Sequence, residues 1–192
     1  MGVEKPITRP AEPTRHRITV AEFVALDGAG FFDDVHVELI DGEIFEMAPL
    51  HRPHAKVQWE LTVAVGLAVR DLPGIEGLAP ISAELGEHSL SEADIVVARV
   101  GGGDRSTTTP FVLLMIEVAD SSLHHDLGAK LRLDARTGVP EYWVADVNGR
   151  EIIRFYRPAG EQYAERTVFP FGQPIPSATI EGLTVDTSRL AA

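Results

Sequence analysis

Cysteine is absent from the chain. Its absence excludes disulfides, thiolate metal centres and cysteine nucleophiles together. It also fits a cytoplasmic location, where disulfides are rare. Long apolar runs are missing as well. None reaches the ~20 residues that a membrane-spanning helix needs, so no membrane partner is expected. Met1 to His16 lacks the apolar centre of a signal peptide; polar, basic and proline-containing, it reads as a loose tail (residues 1–16) ahead of a single domain over 17–192. Positive charge is scarce. Seventeen Lys and Arg stand against 29 Asp and Glu, a formal net charge of −12. That balance argues against an extended phosphate-gripping surface, because nucleic-acid affinity comes largely from basic patches and counterion release. A bound divalent cation would neutralise only part of it. Arg132, Arg136, Arg150, Arg154 and Arg157 crowd the C-terminal half, and their ordinary reading is a solvated, ion-paired surface. Lysine is rarer still, only Lys5, Lys56 and Lys130, so each one invites individual scrutiny.

What is present is a globular composition. With 192 residues, 44% hydrophobic and 24% charged, the chain is long enough to bury a sizeable core. Thr19-Val20-Ala21-Glu22 has the capping-box form and opens a short helix to about Leu26. Val35–Ile40 alternates apolar and polar side chains, and Asp41-Gly42 turns it into Glu43–Met47, a strong hairpin signal. From His54 to about Leu72 apolar residues recur at helical spacing (Val57, Leu61, Ala64, Val65, Ala68, Leu72), and Pro73-Gly74 ends the run. Ile81–Leu85 and Ala93–Val100 read as strands. Gly101–Pro110 is a flexible loop, and no Gly-Lys-Ser/Thr follows its three glycines, so it is not a phosphate-binding loop. Phe111–Val118 has the unbroken apolar character of a strand buried on both faces. Asp126–Thr137 reads as a helix stopped by Gly138. Tyr142–Val147 and Glu151–Tyr156 flank Asn148-Gly149, a second hairpin signal, with Gln162–Phe169 a further strand and Phe171–Ala192 irregular. These elements predict an α/β or α+β domain with one mixed sheet.

Three residues in that order carry chemistry. Asp94 heads an apolar strand, Glu117 nearly ends the most apolar one, and Lys130 follows on the next helix. Glu117 follows six apolar residues and precedes Val118, so it is expected to be buried, and a buried carboxylate needs a partner or a metal. Magnesium takes oxygen ligands, one or two carboxylates among them, and keeps its remaining positions for water. An ammonium beside it can orient a water and stabilise developing charge. Two strand-borne acids and a lysine are thus the parts of a metal-dependent phosphodiesterase site. The same residues also admit plainer readings: a strand-entry acid for Asp94 and an exposed helix lysine for Lys130.

The ordered series Glu38-Leu39-Ile40-Asp41-Gly42-Glu43, His54, Ala93-Asp94-Ile95-Val96-Val97, Ile116-Glu117-Val118, Asp126 with Lys130, and Gly138-Val139-Pro140-Glu141-Tyr142-Trp143 resembles the Uma-two-type restriction endonuclease family of the PD-(D/E)XK nuclease superfamily. The resemblance covers roughly Thr19 to Leu183. It implies a restriction-endonuclease-like fold, a mixed β-sheet flanked by helices, with N-terminal and C-terminal hairpins. It implies a Mg2+-dependent (or Mn2+-dependent) cut in DNA, with metal on Asp94, Glu117 and the Val118 carbonyl, and Lys130 orienting the water. Glu38 becomes an additional acid of the site and His54 a contact to phosphate or the metal shell; against these stand the polar face of a hairpin and helix-start packing. A homodimer is expected, since many restriction-type nucleases pair to cut two strands. The chain departs from the family pattern in three places. Ala93 stands where proline is usual, Asp120 falls in the segment after the second strand, and Asp134 replaces a common tyrosine; both aspartates add negative charge near the site.

Other groupings are weaker. Pro53 separates His51 from His54 and no third ligand is evident, so zinc is not expected. His124 and His125 are adjacent and diverge, which suits a solvent-facing or pH-sensitive loop. Tyr142 and Trp143 suit packing better than base stacking. Ser121-Ser122 has no nucleophile elbow around it. The rival to a nuclease is a catalytically inactive nuclease-fold protein acting as a dimeric binding or interaction module. A hydrolase of small phosphate compounds is a third option.

Overall fold

The computed structural model describes residues 14–103 and 105–191. Of the expected N-terminal tail, residues 1–13 lie outside this range, and residues 14–16 carry no regular structure.

Helix α1 (Val20–Gly28) opens on the expected capping box. The Glu22 N–H donates to Thr19 Oγ1, and the Thr19 N–H donates back to Glu22 Oε2 at 2.8 Å. Strands β1 (Val37–Ile40) and β2 (Glu43–Glu46) form the first hairpin. Asp41 and Gly42 both take positive φ at its turn, as a two-residue turn matching the strand twist requires. Helix α2 (Arg52–Val69) follows, then β3 (Ile75–Leu78), β4 (Ile81–Glu84), β5 (Leu90–Ala93), β6 (Ile95–Arg99), β7 (Thr107–Thr108) and β8 (Val112–Ala119). A one-turn helix α3 (Leu123–His125) runs into a π-helical turn over Asp126–Lys130 and then α4 (Leu131–Thr137). The chain closes with β9 (Glu141–Asp146), β10 (Glu151–Ala159), β11 (Gln162–Pro170), the short pair β12 (Ile175–Pro176) and β13 (Thr184–Val185), and a 3-10 turn over Ser188–Ala191.

The single mixed sheet expected from the sequence is in fact two larger sheets and a two-stranded ribbon. Six strands run β11-β10-β9-β8-β6-β3, and five run β2-β1-β5-β4-β7. The apolar stretch Ala93–Val100, read as one strand, is divided at Asp94. β5 belongs to the smaller sheet and β6 to the larger. Strand pairing is non-local, and a two-residue alternation cannot reveal a change of sheet.

Alternation along the large sheet sorts its side chains onto two faces. Ile95, Val97, Leu114, Ile116, Val118, Trp143 and Ala145 pack against the inner stripe of α2 and the C-terminal segment. Val96, Met115, Ala119, Tyr142 and Val144 pack against α4 and the small sheet. The closing segment is irregular, as expected, yet it supplies Ile175, Ile180, Leu183, Val185 and Leu190 to the core. In the second hairpin Asp146 pairs with Glu151, so the loop has four residues, Val147–Arg150. The left-handed residue there is Arg150, not Gly149. Gly149 is required for space: a Cβ would stand 2.5 Å from an Asp146 carboxylate oxygen.

Candidate active site

β6 and β8 pair antiparallel with Ile95 opposite Ile116. The start of one strand therefore lies beside the end of the other, and Asp94 and Glu117 share that end of the sheet. β8 and β9 are parallel, so the chain between them must cross over, and α3, the π turn and α4 form that crossover. The extra residue in the π turn re-aims the helix surface. Asp126 and Lys130, four apart, are both buried by it. Alternation on β8 turns Glu117 to this same face.

Lys130 Nζ is the meeting point. It donates to Glu117 Oε1 at 3.1 Å, to Glu38 Oε1 at 3.0 Å and to the Glu92 carbonyl at 2.9 Å. All three ammonium protons are used. Burial opposes the charge, but Glu117, Glu38 and Asp126 outweigh it and hold Lys130 above its ordinary value, so it stays protonated. Glu38 reaches the cluster from β1 of the small sheet and accepts a second hydrogen bond, from Ser91 Oγ at 3.1 Å.

Asp94 is held from three sides. Gln58 Nε2 donates to Oδ1 at 2.8 Å, the Val118 N–H donates to Oδ2 at 2.7 Å, and His54 Nε2 lies 3.2 Å from Oδ2. Burial lowers the His54 pKa, but the hydrogen bond and charge of Asp94, with Asp120 and Asp126, raise it on balance. His54 Nδ1 is buried without a partner.

Glu38, His54, Asp94, Glu117, Val118 and Lys130 all line one cavity of about 420 Å³. The structure thus brings these six candidate site residues to one place. Three others were missed or given no role. Gln58 lies on α2 one turn past His54, and a helical-wheel reading would have put it on the same face. Asp126 also lines the cavity, and burial pushes its carboxyl up to about 6. Ser91 carried no detectable signal. Asp134, expected to add negative charge, is buried with both oxygens unpaired, and burial pushes it up to about 8. It is therefore mostly neutral at pH 7. None of the five C-terminal arginines lines the cavity. Arg136 and Arg157 pair with Glu161 and Glu165, and Arg154 lies over the rings of Tyr156 and Phe169.

The Gly-Val-Pro-Glu-Tyr-Trp run frames this site without entering it. Gly138 ends α4 in the left-handed conformation. The Tyr142 hydroxyl donates to the Asp126 carbonyl at 3.0 Å and ties β9 to the π turn. Tyr142 and Trp143 are wholly buried, as packing residues should be. Glu141, also wholly buried, accepts from five donor groups: Trp143 Nε1, Ser177 Oγ, the Ala178 and Thr179 N–H groups and Thr179 Oγ1.

The donor set fits a hard divalent cation. Burial raises Glu117 well above the usual carboxylate range, with Lys130 pulling the other way. Glu38, Glu117 and Asp126 share the charge of one ammonium, and Asp94 lines the same cavity. Such an excess of buried acid calls for further positive charge. Among the described residues no three His, Asp or Glu side chains form a preformed metal cage, so a cation here would rest on one or two carboxylates plus waters, the habit of magnesium.

The chain belongs to the Uma2 family, described as "Putative restriction endonuclease", whose model matches residues 20–188. Its fold is that of a nuclease-family protein. The crystal structure of a putative nuclease belonging to DUF820 from Anabaena variabilis ATCC 29413 is similar, with a TM-score of 0.68 at 18% sequence identity, over 90% of this chain and 97% of that one. No curated protein matches. Among the described residues no helix is long and apolar enough to cross a membrane.

Proposed function

We propose that the protein is a divalent-metal-dependent DNA endonuclease that hydrolyses phosphodiester bonds at the Asp94–Glu117–Lys130 site. The observation that carries this reading is the meeting of two strand-end carboxylates and a buried lysine in one cavity. Asp94, Glu117 and the Val118 carbonyl would hold Mg2+ or Mn2+, which supplies Lewis acidity to the phosphodiester when bound. The protein's own residues do the positioning. Gln58, His54 and the Val118 N–H fix both oxygens of Asp94. Lys130 holds the buried Glu38 and Glu117 side by side and offsets part of their repulsion. Because all three of its protons are engaged, it can orient a water only by exchanging one of those acceptors. His54 lines the same cavity, and its role would be a contact to a phosphate oxygen or to the water shell of the metal.

The test is cleavage of DNA with Mg2+ or Mn2+ by the wild type and by Asp94→Asn, Glu117→Gln and Lys130→Ala. Cleavage lost in the two acid variants with folding intact, and turnover reduced more than metal affinity in the lysine variant, is the expected result. Undiminished cleavage in all three removes the assignment. One observation favours a second reading, an inactive module that binds a partner as a dimer. The cavity is acidic and no arginine among the described residues lines it. An absence of cation binding by the wild type would select that reading.

A further inference from the structure

The cavity has an apolar wall that a metal and a phosphate leave unused. Two tryptophans are present. Trp143 is wholly buried in the core, whereas Trp59 is 66% exposed. Trp59 follows Gln58, which holds Asp94, and it lines the same cavity as the acids. Pro49, Leu50 and Pro80 line it too, and Leu50 is 63% exposed. Leaving the largest apolar side chain in water at the mouth of an acidic cavity is costly unless something flat and apolar covers it. Among the described residues the basic groups lining the cavity are few: Lys130, whose protons are spent, and three histidines. A duplex held by its phosphates has little to bind here. Stacking of a base on an indole needs no cation and is indifferent to sequence. An unpaired base reaches such a surface without the loss of stacking and pairing that a duplex base must suffer. A cavity of about 420 Å³ falls within the usual range for small-ligand sites.

We propose, resting on the nuclease reading, that Trp59 is a stacking wall for an unpaired base beside the scissile phosphate, so that single-stranded or frayed DNA is the substrate class. Because Trp143 is buried, Trp59 is the tryptophan whose fluorescence should respond to ligand. The experiment titrates the full chain, in Ca2+ in place of Mg2+, with a single-stranded oligonucleotide and with a duplex of the same sequence. The single strand is expected to quench the fluorescence and bind at least tenfold more tightly than the duplex. Trp59→Ala should weaken single-strand binding roughly 10–100-fold, read by anisotropy of a labelled strand, and Trp59→Phe should recover most of it. Equal affinity for duplex, unchanged binding by Trp59→Ala, or no binding by the wild type overturns the proposal. So does self-association that Trp59→Ala abolishes, since α2 also exposes Val63 and Leu67 along this side. Mg2+-dependent cleavage with a duplex preference would leave the nuclease reading intact and remove this inference. Trp59-dependent strand binding without Mg2+-dependent cleavage would keep the stacking wall but remove the nuclease reading, and with it the claim that the bound strand is a substrate.

Discussion

Two glutamates, Glu117 and Glu141, lie on neighbouring parallel strands and are almost equally buried, at 3% and 0% exposure. Their surroundings differ completely. Glu141 accepts from five uncharged donor groups and, among the described residues, has no acidic neighbour at hydrogen-bond distance. Its bonds pin Ser177–Thr179, and with them the C-terminal segment, to the large sheet. Glu117 shares a single ammonium with Glu38, next to Asp94 and Asp126, and faces a cavity. A carboxylate saturated by fixed dipoles fastens the fold. One left in an excess of negative charge stands to gain from an added cation.

Breaking Glu141 tests the structural half of the contrast and should have the largest effect. Glu141→Ala orphans five buried or half-buried donors and should cost about 3–5 kcal/mol of unfolding free energy, measured by urea titration.

Asp134 sharpens the contrast, being buried with no donor on either oxygen among the described residues, while the charge of Lys130 offsets only part of the burial. The unfolded chain releases this proton near 4 and the folded chain near 8. Between those values the folded state binds more protons, so stability falls as pH rises through the window. Relative to Asp134→Asn, the wild type should lose roughly 2–5 kcal/mol between pH 4 and pH 8. Parallel melting curves of the two proteins across that range would contradict this.

A smaller effect is expected from Tyr142→Phe, which removes one hydrogen bond to the Asp126 carbonyl. Stability should drop by about 1 kcal/mol. Amide exchange should quicken in the π turn and not in β10, because the tyrosine anchors the crossover rather than the sheet.

The smallest change in stability should come from Glu117→Gln, within about 1 kcal/mol of the wild type. Lys130 keeps Glu38 and the Glu92 carbonyl, so the buried ammonium stays paired. Denaturant midpoints of this variant and Glu141→Ala, measured side by side, would separate the two glutamates.

Much of this contrast was legible in the sequence, but unevenly. Glu117 was recognisable as buried because apolar residues surround it on a strand with no polar alternation. Asp94, Lys130, Glu38 and His54 were picked out by type, order and family resemblance, and all of them line the cavity. The role of Glu141 was not legible. Four of its five donor groups lie some 36–38 residues away, in a segment with no periodicity to announce it. The π turn was hidden because its apolar spacing resembles an ordinary helix. The division at Asp94 was hidden because β5 and β6 follow each other directly yet join different sheets. Strand β3 escaped notice because four residues with Glu76 and Gly77 at the centre, at the edge of the large sheet, give neither alternation nor an apolar run.

The central claim is that Glu117 awaits a cation, and titration calorimetry with Mg2+ and Mn2+ tests it most directly, wild type beside Glu117→Gln. The account predicts a binding isotherm for the wild type that vanishes in the variant while the melting transition stays in place. A wild type that binds neither ion, with or without DNA, or a variant that binds both as well as the wild type does, would contradict it.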